Sequence, residues 1–329
     1  MLKLRGISYL VGETHPDDLR RDLEIISRDL RCDTVMLISG EVPRLVAAAG
    51  HALDLGLNVY LRPDPTDLPR TTMLARLGAA ADAAELLRRE HPDRVTLVVG
   101  SEFSHTAPGI VPGPRSFLRL QLIIRFRSLM RRRIDRRLHT LLADAVTVAR
   151  SRFNGPITYS AAAWERVDWT LFDVVGVSLY RSRRNAATYA DRVHDLVRRH
   201  DRPVVITEFG CGAFTGAEQR GAGSFQIVNW FTEPPRISGD HPRDESVQAR
   251  YLTDLIDLYD TQGVHGCFVF TFAMPDFLHE DDPHLDLDKA GFGVMAARSD
   301  GTYQRKQAFH AVADAYRGIA EADRGGPRR

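Results

Sequence analysis

Cysteine is scarce in this chain. Cys32, Cys211 and Cys267 are an odd number, spread far apart in a sequence of 329 residues. They cannot make a disulfide framework, and with no Cys-x-x-Cys pair there is no ready grip for zinc. Charge of one sign is also lacking. The 44 basic residues, only three of them lysine (Lys3, Lys289, Lys306), meet 43 acidic ones for a net charge of +1. That balance gives no overall pull toward nucleic acid, whose backbone asks for a clear basic excess. No apolar run approaches the roughly 18–20 residues that insert across a bilayer. The serine-hydrolase Gly-x-Ser-x-Gly pattern and the phosphate-binding P-loop are absent, and no Gly-x-Gly-x-x-Gly follows the first strand. The opening Met1-Leu2-Lys3-Leu4-Arg5-Gly6 leads into an apolar stretch that breaks at Gly12 and Glu13, too short for a signal peptide. These absences predict a compact cytoplasmic protein with reduced thiols and no cofactor.

What is present is a regular alternation. Near-continuous apolar runs at 4–9, 34–39, 57–61, 95–100, 157–160, 174–179, 204–207 and 266–271 read as strands buried on both faces. Amphipathic stretches at 17–30, 43–55, 73–90, 117–152, 187–200, 245–262 and 304–319 read as helices, with a weaker helical turn at 164–171. Gly56 and His91-Pro92-Asp93 are the stop signals of the second and third helices. Eight strands alternating with helices predict an α/β fold, a single (β/α)8 TIM barrel over residues 1–321 with a frayed tail at 322–329. A doubly wound sheet fits less well without its glycine-rich loop. Long segments at 212–244 and 273–301 follow the seventh and eighth strands, on the face where barrel enzymes keep their sites.

The strand tips hold the candidate chemistry. They read Tyr9, Ser39, Arg62, Glu102, Ser160, Tyr180, Glu208 and Phe272. Two are carboxylates that end strongly apolar strands, in Val98-Val99-Gly100-Ser101-Glu102 and Val204-Val205-Ile206-Thr207-Glu208. A pair of carboxyl groups, one protonated to assist the leaving group and one ionised to attack, is what glycoside hydrolysis needs.

Here the chain resembles the clan A glycoside hydrolases, whose members share the barrel and place glutamates at the ends of strands four and seven. Gly100-Ser101-Glu102 is similar to the clan's acid/base strand end, and Ile206-Thr207-Glu208-Phe209-Gly210 to its nucleophile strand end. Asp173-Val174-Val175-Gly176-Val177-Ser178-Leu179-Tyr180 resembles the sixth-strand motif, and Asp244-Glu245-Ser246-Val247-Gln248-Ala249 the opening of the seventh helix. Gly266-Cys267-Phe268-Val269-Phe270-Thr271-Phe272 resembles the eighth strand. Five motifs in the correct order span nearly the whole chain. The resemblance implies that Glu102 is the acid/base, Glu208 the nucleophile and Tyr180 the group that holds Glu208. It also implies retention of configuration, with carboxyl groups about 5–5.5 Å apart. Two departures stand out: Ser101 replaces the usual Asn before the acid/base, and Phe272 stands where the eighth strand commonly ends in Trp. The chain is also similar to bacterial proteins labelled abortive phage infection proteins, a label that supplies no mechanism.

Other residues have competing readings. Arg62 can bind substrate oxygens, orient Glu208 or simply form an ion pair. His105, three residues past Glu102, is either its partner or a solvated loop histidine. Trp164, Phe214, Trp230 and the cluster from Phe225 to Phe231 are sugar-stacking aromatics or self-packed loops. In His279-Glu280-Asp281-Asp282-Pro283-His284 the spacing is wrong for zinc and Pro283 forbids a regular helix, so no metal is expected. Asp281, Asp282, Asp286 and Asp288 have no EF-hand spacing and read as a solvated acidic loop. Cys211 follows Glu208 closely, but no histidine-based nucleophile pattern accompanies it.

The stretch 115–137 carries nine arginines among apolar residues and is expected to form two helices or an extended one. It reads as the fourth outer helix, apolar on its inner face, with a homodimer or other partner contact as the competing reading. The expected protein is a retaining glycosidase or transglycosidase-like enzyme on a saccharide or small-molecule substrate. The alternatives are a biosynthetic isomerase, lyase or cyclase of the same fold, a binding protein without turnover, and an interaction protein built around the arginine-rich helix.

Overall fold

The computed structural model describes residues 1–12 and 15–324. Its main sheet has eight parallel strands: β1 (Leu4–Leu10), β2 (Thr34–Ser39), β3 (Asn58–Pro63), β4 (Val95–Ser101), β5 (Ile157–Ala162), β6 (Val175–Ser178), β7 (Val204–Phe209) and β8 (Gly266–Val269). They are hydrogen-bonded in the order β1-β8-β7-β6-β5-β4-β3-β2 and close into a barrel. Every residue of β2 and of β4 through β8 is buried. Strands covered on both faces need no polar side, hence their near-continuous apolar sequences. Seven longer helices follow the strands: α1 (Pro16–Glu24), α2 (Val42–Asp54), α3 (Arg70–Glu90), α4 (Ser116–Arg150), α5 (Tyr189–Arg198), α6 (Glu245–Thr261) and α7 (Gln307–Arg324). Among the described residues, no helix is long and apolar enough to cross a membrane.

Local chemistry sets the helix ends. Pro43 lies in the first turn of α2, where its missing N–H would have had no partner in any case. Past the other end, Gly56 takes a left-handed φ of 86° and donates to the Leu53 carbonyl at 3.0 Å. Asp244 caps α6 by accepting from the Ser246 N–H at 3.1 Å. One turn on, the buried Gln248 donates to the carbonyls of Cys211 at 3.0 Å and Gly293 at 3.3 Å. A single side chain of α6 thereby fastens the segments that follow β7 and β8.

The chain divides into two compact units. The first comprises Met1–Leu10, Arg21–Val35 and Leu179–Arg329. In it β1 runs beside β8, with Leu4 opposite Gly266 and Gly6 opposite Phe268. Arg243 bridges Glu245, Asp286 and Asp288, and the buried Lys306 ammonium adds to Asp288 at 3.2 Å. This network gives the buried Asp288 two cationic partners, without which its charge would be costly. The second unit comprises Val11–Arg20 and Met36–Ser178. There β3 pairs with β4, β4 with β5 and β5 with β6.

Several elements differ from expectation. The first helical stretch changes at Ile25 into a π-helical turn over Ile25–Asp29. Of the two forms expected for the arginine-rich stretch, the extended single helix is the one found, 35 residues long. Residues 304–305, expected in the last helix, belong to a short strand, Tyr303–Arg305, paired antiparallel with Met295–Ala297. Segment 212–244 holds a short helix (Ala217–Arg220), a 3-10 stretch (Gly221–Ile227) and a two-residue ladder, each too short to leave a periodic signal. The last helix runs through Arg324, three residues into the expected tail, and 325–329 lie outside the described residues.

Gly6 marks a close approach between β1 and β8 in the first unit. A Cβ there would meet the Phe268 ring at 2.5 Å and the Cys267 carbonyl oxygen at 2.8 Å. Gly50, inside α2, has nothing within 4 Å of the same added atom. Urea denaturation should therefore move in opposite directions. Gly6→Ala is expected to lose about 1–3 kcal/mol through overpacking. Gly50→Ala should gain about 0.5–1 kcal/mol from helix propensity. Equal midpoints for the two variants would contradict this packing.

Candidate active site

Glu102 follows the last residue of β4 and has a left-handed backbone, with φ 47° and ψ 46°. Such a conformation costs a side-chain-bearing residue about 1–2 kcal/mol unless its surroundings hold it. They do. The N–H of Glu102 donates to the Ser160 carbonyl at 2.8 Å, that of Phe103 to the Tyr159 hydroxyl at 2.6 Å, and that of Ser104 to the Glu165 carboxylate at 2.8 Å. All three acceptors belong to β5 or the turn after it. Gly100 permits the turn, since a Cβ there would strike the Phe103 ring at 2.1 Å. The Ser101 carbonyl accepts from the Thr106 hydroxyl at 2.7 Å, and Ser101 itself is buried.

The Glu102 carboxylate lies 2.7 Å from His105 Nε2, and His105 Nδ1 lies 2.8 Å from the Ser116 hydroxyl. His105 is thus a partner of Glu102 and not a free loop histidine. Its carbonyl accepts from the fully buried Arg119 at 2.6 Å, and that guanidinium also pairs with Asp67. Trp164 donates from its indole nitrogen to the Ser104 hydroxyl at 3.0 Å, with its ring 6.5 Å from the His105 ring.

In the other unit Glu208 sits inside β7, one residue before its end, and is 7% exposed. The Tyr180 hydroxyl donates to its Oε2 at 3.1 Å. The Tyr180 ring packs 6.1 Å from Phe292, which in turn lies 6.0 Å from Phe270. Arg181, next in sequence, is fixed by the Tyr251 hydroxyl, which accepts from its N–H and donates to its carbonyl, both at 2.9 Å. Gly221 completes this fit, because a Cβ there would lie 2.3 Å from the Arg181 carbonyl oxygen.

Three expected strand-tip residues are buried and engage neighbours in their own unit. The buried Tyr9 hydroxyl donates to Asp22 at 2.9 Å. Ser39 donates to the Val11 carbonyl at 3.0 Å and accepts from the Glu41 N–H at 3.2 Å. Phe272 is fully buried against Tyr9 and Tyr303, whereas Phe270, two residues earlier, keeps an accessible edge. Their sequence positions mark strand ends, but not which way a side chain turns there. Arg62 lies in β3 and is half-buried. Among the rim aromatics, Phe214 is buried, Trp230 rests on Phe277 at 5.6 Å, and Phe231 is 96% exposed.

Glu165 and Tyr159 were not foreseen. Glu165 accepts from the Ser104 and Ala162 N–H groups and, at 2.9 Å, from the Tyr159 hydroxyl. Burial of its carboxyl, with a smaller contribution from the charge of Glu102, outweighs these hydrogen bonds and raises its pKa to about 7. The only sequence signal was an acid eight residues into a stretch that otherwise read as apolar strand and weak helix.

Cys211 is no nucleophile. Burial pushes its thiol far above the ordinary range, and its Sγ faces the Gly212 carbonyl at 3.4 Å. Cys32 and Cys267 are buried free thiols as well. Among the described residues, no group of three or more His, Cys, Asp and Glu side chains gathers as metal ligands. A cleft of about 530 Å³ is lined by Arg243, His279, His284, Asp286 and Lys289, among others, and by neither candidate carboxylate. Within it His279 Nδ1 lies 3.0 Å from Asp286, which also pairs with Arg243.

Comparison with known proteins bears on the fold and the class of enzyme. The model of Glycoside Hydrolase Family 113 matches residues 133–276, a little under half of the chain. The matched span contains Tyr180 and Glu208 and begins after Glu102. A solved GH113 β-1,4-mannanase is similar over 96% of this chain and 99% of its own, with a TM-score of 0.64 at 14% identity. The GH113 β-mannanase AaManA of Alicyclobacillus acidocaldarius, solved with ManMIm, gives 0.61 at 14% identity over 97% and 98% of the two chains. A Bacteroides uniformis β-glucuronidase gives 0.60 at 16% identity, over 95% of this chain and 35% of its own. At such identities the structural likeness is one of fold. No curated protein matches the sequence, and none of these matches carries the abortive-infection label. The family match and the mannanase neighbours together support a glycoside hydrolase.

The raised pKa of Glu165 has a consequence for stability. The folded protein holds this proton up to about pH 7, while the unfolded chain releases it near 4.5. Between those values the folded state binds more protons, so stability falls as pH rises. The total loss is at most about 3 kcal/mol. Glu165→Gln should flatten this part of the pH profile of thermal unfolding. An unchanged slope would show that the carboxyl ionises normally.

Proposed function

We propose that the protein is a retaining glycoside hydrolase in which Glu208 attacks the anomeric carbon and Glu102 protonates the departing oxygen. The observation that carries this reading is the buried Glu208 near the end of β7, with one oxygen held by the Tyr180 hydroxyl at 3.1 Å. A donor on one carboxylate oxygen fixes the rotamer of the attacking group. Glu102, held by the turn after β4 and partnered by His105, is suited to the proton transfers. In the first step the Glu208 oxygen forms a bond to the anomeric carbon as the glycosidic C–O bond breaks, and the Glu102 proton passes to the leaving oxygen. In the second step Glu102 takes a proton from water or another acceptor hydroxyl, whose oxygen displaces Glu208 and restores the original configuration.

β-1,4-Linked mannosides are the first substrates to try, because the similar solved enzymes are β-mannanases. Ser101 presents a shorter polar side chain than Asn, which favours a substrate that leans less on contacts beside the acid/base.

Intact-protein mass after exposure to 2-fluoro glycosyl fluorides of the manno, gluco, galacto and arabino series tests the mechanism. A sugar-sized gain in the wild type and none in Glu208→Gln is expected. On substrates with poor leaving groups, Glu102→Gln should lower kcat/KM by about 10²–10⁴-fold. Tyr180→Phe should lower kcat by about 10–100-fold, the loss of one hydrogen bond to a charged group. No adduct with any sugar, together with full activity of Glu208→Gln, would overturn the assignment. Turnover of a small non-saccharide metabolite that depends on both acids would instead favour lyase or isomerase chemistry on the same fold.

A further inference from the structure

The longest helix in the chain is only half used by its own fold. In α4, the carboxyl-terminal half buries Ile134, Leu138, Leu141, Leu142, Ala145 and Ala149. Its amino-terminal half exposes Phe117, Leu118, Ile124, Phe126 and Leu129, the last of these 84% accessible. Thirty-five residues span about 52 Å at the usual rise, whereas a seven-residue strand such as β4 spans about 23 Å. The helix is longer than covering its strand demands.

The same half is strongly basic. Between 115 and 137 there are nine arginines and one acid, Asp135. Three of the arginines serve the fold. Arg119 is internal, while Arg133 and Arg137 donate to carbonyls in the loop at Gly109 and Ile110. Arg127, Arg131, Arg132 and Arg136 are exposed and pair with no described acidic residue, and Arg125 lies over the Phe126 ring at 5.8 Å. At helical spacing, Phe117 and Ile124 fall along one line, Leu118 and Leu129 along another, and Arg125 and Arg132 lie between them. Long arginine stems can lie along apolar surface while their guanidinium groups reach outward.

We propose that residues 117–132 of α4 form a docking surface for an anionic lipid bilayer. The charge identifies the occupant. A second copy of this chain would bring the same uncompensated arginines against each other, which disfavours the homodimer that the sequence suggested. A bilayer bearing anionic headgroups supplies countercharge over an area and accepts Phe117, Leu118 and Leu129 among its acyl chains. The helix lies in the headgroup plane and does not span. Its first turn also holds His105, the partner of Glu102, through Ser116 at 2.8 Å. Docking therefore sets the end of β4 that bears Glu102 toward the bilayer side. The docking does not depend on the glycosidase reading.

The test is co-sedimentation of the full chain with phosphatidylcholine vesicles with and without phosphatidylserine, at low and at high salt. Binding should require phosphatidylserine and weaken as salt rises. Two double variants, Arg125→Glu with Arg132→Glu and Leu118→Gln with Leu129→Gln, should each weaken it by about tenfold or more. All four positions are exposed, and circular dichroism checks that the variants fold. Equal sedimentation with both vesicle types would overturn the proposal. So would binding that the charge variant loses and the apolar variant keeps, since that is attraction to any polyanion. Light scattering that shows a dimer dissociated by the apolar variant would assign the surface to self-association instead.

Discussion

Three consecutive amide N–H groups, at Glu102, Phe103 and Ser104, are all satisfied from one neighbouring strand end. That constraint governs the candidate site more than any other. Left alone, the turn after β4 would be poor structure: a glutamate in a left-handed conformation, with its donors turned away from the ladder. The Ser160 carbonyl, the Tyr159 hydroxyl and the Glu165 carboxylate accept those donors and hold the turn in place. Around it the packing leaves little freedom, with Gly100 beneath the Phe103 ring and Arg119 fastening the His105 carbonyl. The position of the Glu102 side chain is thus a property of β5 as much as of β4.

Glu208 is placed by a different device. Its backbone is ordinary strand, so the polypeptide needs no special conformation to present it. The side chain is fixed instead by the Tyr180 hydroxyl, and Tyr180 by its packing against Phe292 and by Asn185, which donates to its carbonyl at 2.9 Å. One carboxylate is therefore held through main-chain geometry and the other through a side-chain contact. Substitutions beneath the first should disturb backbone and stability together, and those around the second chiefly the orientation of one group.

Charge is distributed along the same lines. Ionised groups with close partners, such as Arg243 with Asp286 and Asp288, anchor the long segment after β8. Glu165 has no cationic partner among the described residues, and burial raises its pKa to about 7. The arginines on the outer half of α4 have no acidic counterpart in the described chain, and that surplus is what an external anionic surface would neutralise.

Much of this was legible in the sequence. Eight strongly apolar runs and the periodic stretches between them determined the barrel, because burial on both faces and helical amphipathicity each leave a period that local reading detects. Glu102, Glu208 and Tyr180 were legible for a related reason: the end of a buried strand is where a polar residue stands out. The roles of Tyr9, Ser39 and Phe272 were not legible, since a strand end shows where a side chain starts and not toward which neighbour it turns. Glu165 was hidden because its significance lies in three hydrogen bonds, one from Ser104 about sixty residues away after β4 and two from Tyr159 and Ala162 of β5. The sequence by itself determined the order of elements, the strand ends and the two acids, all consequences of local hydrophobic pattern. Only the tertiary structure decided the left-handed turn at Glu102, its His105 partner, the raised pKa of Glu165 and the exposed half of α4, because each depends on what distant segments bury or leave to solvent.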